Sequence, residues 1–268
     1  MRRTPLVLIA ALVAALALAA GPAGAITFGK PDGNLHPNVG ALLTDWDEES
    51  PGLDILCSGT LIAPSVFQTA AHCLAGIETP LFVTFATEYD EDSTSTAGAF
   101  SGTGHMHPLF ASGGQNNTFD LAVVVLDQAP GHTPAQLPRV GLIDDLRASG
   151  ALKRQTFTAV GYGTVREDKR RGPHAFFFDG IRRYALQSFL SLQKAWLSLS
   201  MQPSTGDGGT CYGDSGGPHF LGGKTSNLLV SLTVTGDAMC RATDKTYRLD
   251  TPWSRDFLEQ FPGVDYPG

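Results

Sequence analysis

The sequence predicts an all-β fold of short strands, closed by one short C-terminal helix. Three observations carry that expectation. Glycine (31) and proline (17) are abundant and only 17% of the 268 residues are charged, a balance that suits many turns and short strands rather than long helices. Short apolar runs recur between turn-forming stretches, at 39–43, 56–62 and 121–126 among others. Helical spacing appears at the C-terminus, where Trp253, Phe257 and Phe261 fall at i, i+4 and i+8 on one face.

The N-terminus reads as an export signal. Arg2 and Arg3 form a basic start, residues 6–20 are apolar and uncharged, and Ala23-Gly24-Ala25 meets the small-x-small cleavage rule. The apolar run is short for a membrane span of about 20 residues. Residues 1–25 are therefore expected to be removed, leaving Ile26 first in a secreted chain. Loss of Arg2 and Arg3 takes the net charge from −7 to −9, which argues against nucleic acid or an anionic membrane as a partner. Four cysteines in an exported chain point to two disulfides, with three possible connectivities. They lack the paired C-x-x-C spacing of a zinc site.

Residues 39–43 and 56–62 are expected strands, separated by an acidic, turn-rich loop over 45–54. Residues 66–71 then lead to His72. Residues 81–87 are strand-like, and 88–95 form an acidic loop without the ligand spacing of a calcium site. His105 and His107 share a face at i, i+2 but lack a third ligand, so they read as part of a surface turn. Asn116-Asn117-Thr118 is a formal glycosylation acceptor. Asp120 opens the apolar run 121–126, which reads as a buried strand. Prolines and polar residues over 128–150 mark a boundary and an extended connector, dividing the mature chain into 26–135 and 136–268. Residues 157–163 begin the second half, and 166–171 is a charged loop open to self-cleavage. Two strands follow within 184–200, one at 227–235 and one at 246–249. Thr251 and Pro252 fit the N-cap and first position of the final helix, and Pro262-Gly263 its stop.

The chemistry concentrates in Gly213-Asp214-Ser215-Gly216-Gly217-Pro218. Glycines on both sides leave the Ser215 hydroxyl open to a substrate carbonyl, and Gly213 can adopt dihedrals closed to other residues. The N–H groups of Gly213 and Ser215 can then point together at a developing oxyanion. A serine hydroxyl needs a base, and Thr69-Ala70-Ala71-His72-Cys73 supplies one. Asp120, at the edge of an apolar strand, can fix the tautomer of that histidine.

The order His72, Asp120, Ser215, with these contexts and with Cys57-Ser58-Gly59-Thr60-Leu61-Ile62 upstream, resembles the chymotrypsin/trypsin-like serine proteases over nearly the whole chain after the leader. The G-x-S-x-G pattern also fits the α/β-hydrolase elbow, but that needs a helix and a distant histidine after the serine. Here Pro218 and Gly222-Gly223 follow, and His219 is the only later histidine.

The resemblance implies two six-stranded antiparallel β-barrels with the site in the cleft between them, disulfides Cys57–Cys73 and Cys211–Cys240, and catalysis without cofactor or metal. It implies protein or peptide substrates, protein inhibitors as further partners, and a monomer. It also implies that the α-ammonium of Ile26 pairs with Asp214, although Thr27 and Phe28 depart from the usual Ile-Val-Gly-Gly start. The specificity pocket falls on Gly209, Thr210 and Gly236. Gly209 has no carboxylate to receive Arg or Lys, so a neutral pocket favours an apolar or aromatic side chain; Lys245 at the pocket base would favour an acidic one. The reading from a different class is a non-catalytic or latent homologue acting as a secreted binding module.

Overall fold

The computed structural model describes residues 26–46, 52–166 and 176–267. The expected leader, the stretch 47–51 of the acidic loop and nearly all of the charged run 166–171 lie outside the described residues.

The chain runs through β1 (Lys30–Pro31), β2 (Val39–Thr44), β3 (Asp54–Ala63), β4 (Val66–Thr69), β5 (Leu81–Thr84), β6 (Ala99–Met106) and β7 (Ala122–Leu126). A seven-residue helix α1 (Leu142–Ala148) precedes β8 (Thr156–Gly161), β9 (Val165–Arg166), β10 (Phe176–Phe177), β11 (Arg183–Leu192), β12 (Trp196–Ser200), β13 (Pro218–Leu221), β14 (Leu229–Gly236) and β15 (Thr243–Arg248). Helix α2 (Pro252–Leu258) follows.

Two antiparallel barrels result. The first closes in the order β2-β3-β4-β7-β6-β5 and back to β2. The second closes in the order β8-β11-β12-β15-β14-β13 and back to β8, with β1 added beside β11. The all-β expectation, the two six-stranded barrels and the short final helix all hold. Alternation explains the closure: inward residues such as Phe67, Val83 and Val124 are fully buried and fill the first barrel.

Two elements depart from the sequence reading. The sequence gives β6 no strand signal, because 101–104 reads Ser-Gly-Thr-Gly. Its glycines serve close approach: a Cβ at Gly104 would press on Leu74 and Leu81, and one at Gly102 on the backbone of β7. The connector 128–150 is extended only in its proline-bearing part; Leu142, Ile143 and Leu146 then share a helical face, with Asp144 and Asp145 in the first turn. The aromatic stripe of α2 reaches the first barrel as well as the second. The Phe257 ring lies 4.9 Å from that of His107, and the Phe261 ring 5.4 Å from that of His105. Those two histidines are thus packed on aromatic rings, and burial lowers the pKa of His107.

A buried polar cluster joins the N-terminal segment to both barrels. Arg182, wholly buried, donates from Nε to Asp32 Oδ2 (3.1 Å), from Nη1 to the carbonyls of Val39 (2.8 Å) and Phe85 (3.0 Å), and from Nη2 to Asn34 Oδ1 (2.8 Å). His36 Nδ1 sits 2.6 Å from Asp32 Oδ1. Burial works to raise the Asp32 carboxyl, but the His36 hydrogen bond and the Arg182 charge hold it below the ordinary carboxylate range.

Candidate active site

His72 occupies a single 3₁₀ turn, Ala71–Cys73, at the end of β4. The small residues Ala70 and Ala71 are fully buried and hold that turn against the barrel. Cys73 is bonded to Cys57 on β3, with Cα atoms 6.2 Å apart, so the turn is tied to a neighbouring strand. Asp120 lies just ahead of β7, which is the direct partner of β4. Its carboxylate accepts from His72 twice: the backbone N–H meets Oδ1 at 2.9 Å and ring Nδ1 meets Oδ2 at 2.8 Å. A carboxylate only accepts, so Nδ1 carries a proton and Nε2 is left as the basic nitrogen. Asp120 is nearly buried, whereas His72 keeps about a third of its side chain exposed (6% and 35%). The imidazole is therefore held from below and open above.

The Gly-rich stretch 213–218 comes from the second barrel and is pressed onto the first. Ser58 on β3 is the clamp. Its N–H donates to the Ser215 carbonyl (2.9 Å), its hydroxyl donates to the Gly213 carbonyl (3.1 Å), and that hydroxyl accepts from the Tyr162 N–H (3.1 Å). The Ser58 carbonyl accepts from Thr69 Oγ1 at 2.9 Å. Thr69 belongs to β4, three residues before His72, so a single serine links the 213–218 loop to the turn that carries His72. A Cβ at Gly216 would run into Thr69 Oγ1, the Ser58 carbonyl and the Ala70 nitrogen, and the φ of Gly216 is +78°. Only glycine permits that approach. Among the described residues, no hydrogen bond joins Ser215 Oγ to His72, and the N–H groups of Gly213 and Ser215 donate to no protein acceptor. Gly213 adopts φ +92°, a backbone conformation that favours glycine.

Asp214 is completely buried. Its Oδ1 accepts from the Gly163 N–H and its Oδ2 from the Cys211 N–H, both at 2.8 Å. Burial pushes its pKa up to about 7; those two N–H bonds oppose the rise and the nearby Asp244 charge adds to it. Ile26 is also fully buried and packs on Ala159 and Ala185 of the second barrel. Thr27 bridges to Gly209, accepting from its N–H at 3.0 Å and donating from Oγ1 to its carbonyl at 3.0 Å. Among the described residues no hydrogen bond joins Ile26 to Asp214. The segment is docked on the second barrel beside the pocket region.

A cavity of about 320 Å³ opens beside Ser215. Thr210, Tyr212, Thr233, Val234, Gly236 and Asp237 line it, together with the Cys211–Cys240 disulfide. Thr210 and Gly236, two of the three residues expected at a specificity pocket, border this cavity. Gly209 is not in the lining; a Cβ there would run into the buried Met201 thioether and the Gln187 amide. Lys245 is elsewhere, with Nζ 4.4 Å from the centroid of the Trp196 ring. Asp237 holds the loop up to Thr243 together by accepting N–H bonds from Met239, Arg241, Ala242 and Thr243. Burial works to raise its pKa, but these bonds keep it below the ordinary value.

Sequence reasoning missed Ser58, Met201 and Asp237. Ser58 lies inside the Cys57–Ile62 stretch that carries the resemblance, so the sequence does hold a signal for it; Met201 and Asp237 have no motif and become visible only in the fold. Among the described residues, the grouping with metal-ligand geometry is Cys57, His72 and Cys73, and both of its cysteines are spent in a disulfide.

Comparison with known proteins agrees with this geometry. The family model described as Trypsin matches residues 46–255. A protein named "Trypsin" from Saccharopolyspora erythraea is 25% identical over 235 residues, which cover 80% of this chain and 88% of that protein.

Proposed function

We propose, from the premise that this chain belongs to the trypsin family of serine proteases, that it is a secreted endopeptidase working through a Ser215-His72-Asp120 triad. Ser215 Oγ attacks the scissile carbonyl and His72 Nε2 takes its proton. The N–H groups of Gly213 and Ser215 receive the oxyanion. His72 then protonates the leaving amine, and water repeats the sequence on the acyl-enzyme. Asp120 stabilises the imidazolium that forms at each step. The single observation that carries this reading is the double acceptance of His72 by Asp120 at 2.8 and 2.9 Å, which fixes the tautomer a general base needs.

Release of residues 1–25 would free the Ile26 ammonium, and a fully buried, uncompensated Asp214 is a fit destination for it. Pairing there would set the Gly213–Ser215 turn. Export is supported by the two disulfides, and no helix among the described residues is long and apolar enough to cross a membrane. The chain is read as a monomer acting on proteins or peptides, with protein inhibitors as further partners. Its pocket is read as taking a neutral side chain, since Gly209 brings no carboxylate, the Asp237 carboxylate is engaged by four backbone N–H groups, and Lys245 is stacked on Trp196.

The test is hydrolysis of casein by the purified secreted protein. Turnover that a serine-directed reagent stops supports the reading. Absence of turnover in a folded chain whose N-terminus is Ile26 would favour a binding module instead.

A further inference from the structure

Behind the pocket lies a relay of buried polar side chains that the triad does not use. His219 on β13, Gln187 on β11 and Asp244 on β15 are all essentially without solvent contact. Asp244 Oδ2 accepts from Gln187 Nε2 at 2.9 Å, which fixes the orientation of the amide because a carboxylate cannot donate. Gln187 Oε1 therefore faces His219 Nδ1, at 2.8 Å, and requires a proton on that nitrogen. His219 Nε2 is 2.9 Å from Thr233 Oγ1, and Thr233 lines the pocket. Gln187 Oε1 already places a proton on Nδ1; burial lowers the pKa of His219 and so disfavours a second proton on Nε2, against the opposing pull of Asp244 Oδ2, 3.5 Å from Nε2. Nε2 is then an acceptor. Thr233 must give it the hydroxyl proton and has only lone pairs left to offer.

We propose that this relay makes Thr233 a hydrogen-bond acceptor on the pocket wall and so selects P1 side chains that are neutral and donate, the carboxamides of asparagine and glutamine. A P1 carboxylate would face those lone pairs and the Asp237 carboxylate on the same wall. A P1 hydrocarbon would cover the acceptor without pairing it. The proposal rests on the protease reading of the pocket, and names the substrate class for it.

Asparagine, leucine and aspartate are close to isosteric, so one peptide series isolates the polarity. Two readouts are needed on the secreted protein: kcat/KM for peptides differing only in these P1 residues, and calorimetric binding of the same peptides to the Ser215→Ala variant. Asparagine should lead leucine by about tenfold and aspartate by more. Thr233→Val keeps the shape and should remove the lead over leucine. His219→Gln, as a second variant, should weaken that lead. If leucine or aspartate equals asparagine in the binding series, or if Thr233→Val leaves the ratio unchanged, the relay proposal is wrong. If instead the binding order holds and Ser215 takes no fluorophosphonate, the protease reading fails while the relay stands.

Discussion

His72 is useful because of what lies beneath it. A carboxylate that accepts from both its backbone and its ring leaves the imidazole one tautomer and one free nitrogen. Replacing Asp120 by Asn removes that constraint while keeping the shape. kcat should fall about 10⁴-fold with little change in KM; a loss under about tenfold would show that the tautomer is set by something else. Asp214 makes a second prediction at this scale. Its folded pKa of about 7 stands above the ordinary 3.8, so the folded state holds its proton more tightly than the unfolded chain does. The resulting stability is complete below about 4 and is lost as pH rises through about 7. Denaturant titrations of the uncleaved chain across that window should show the loss, and Asp214→Asn should remove it. In a chain beginning at Ile26, an ammonium beside the carboxylate should flatten the slope as well. An identical slope in the Asn variant would contradict the assignment.

The elements show where sequence was readable and where it was not. The turn at His72, the 213–218 loop and α2 were legible because their signals are local: a run of small residues, a row of glycines, and a Thr-Pro cap whose Thr251 side chain accepts from Ser254. Strand β6 was not, because its glycines exist for contacts with β7, Leu74 and Leu81 that are distant in sequence. Helix α1 was hidden by the prolines that precede it. Thr210 and Gly236 border the cavity beside Ser215 and Gly209 does not; Met201, which stands beside Gly209 after β12, is announced by no local pattern. The nucleophile loop gives the prediction at this scale. Gly216→Ala would force a Cβ between Thr69 and Ser58 at a φ of +78°. The variant should lose about 3 kcal/mol or more of stability, or lose activity by lifting Ser215 off the first barrel. Near-normal melting and turnover together would show that the clamp through Ser58 is not tight.

At the scale of the whole molecule, the candidate site lies where two closed barrels meet. His72 and Asp120 belong to one and Ser215 to the other, and Ser58 and Arg182 are the polar links across the junction. The two-barrel plan was legible through the resemblance alone; composition pointed only to short strands and turns. Arg182 had no signal, since two adjacent arginines, Arg182 and Arg183, at the head of a strand look like surface charge. Arg182→Met strands Asp32 in a buried site and should cost about 3–5 kcal/mol in urea unfolding. Adding Asp32→Leu should recover part of that loss, and a double variant no better than the single would show that Asp32 is not the group left unpaired.

The most direct measurement is mass-spectrometric mapping of a fluorophosphonate adduct on the secreted protein. The geometry predicts one adduct per chain, on Ser215, formed rapidly and lost in His72→Ala. An adduct on another residue, or equal labelling without His72, would contradict a triad assembled across the two barrels.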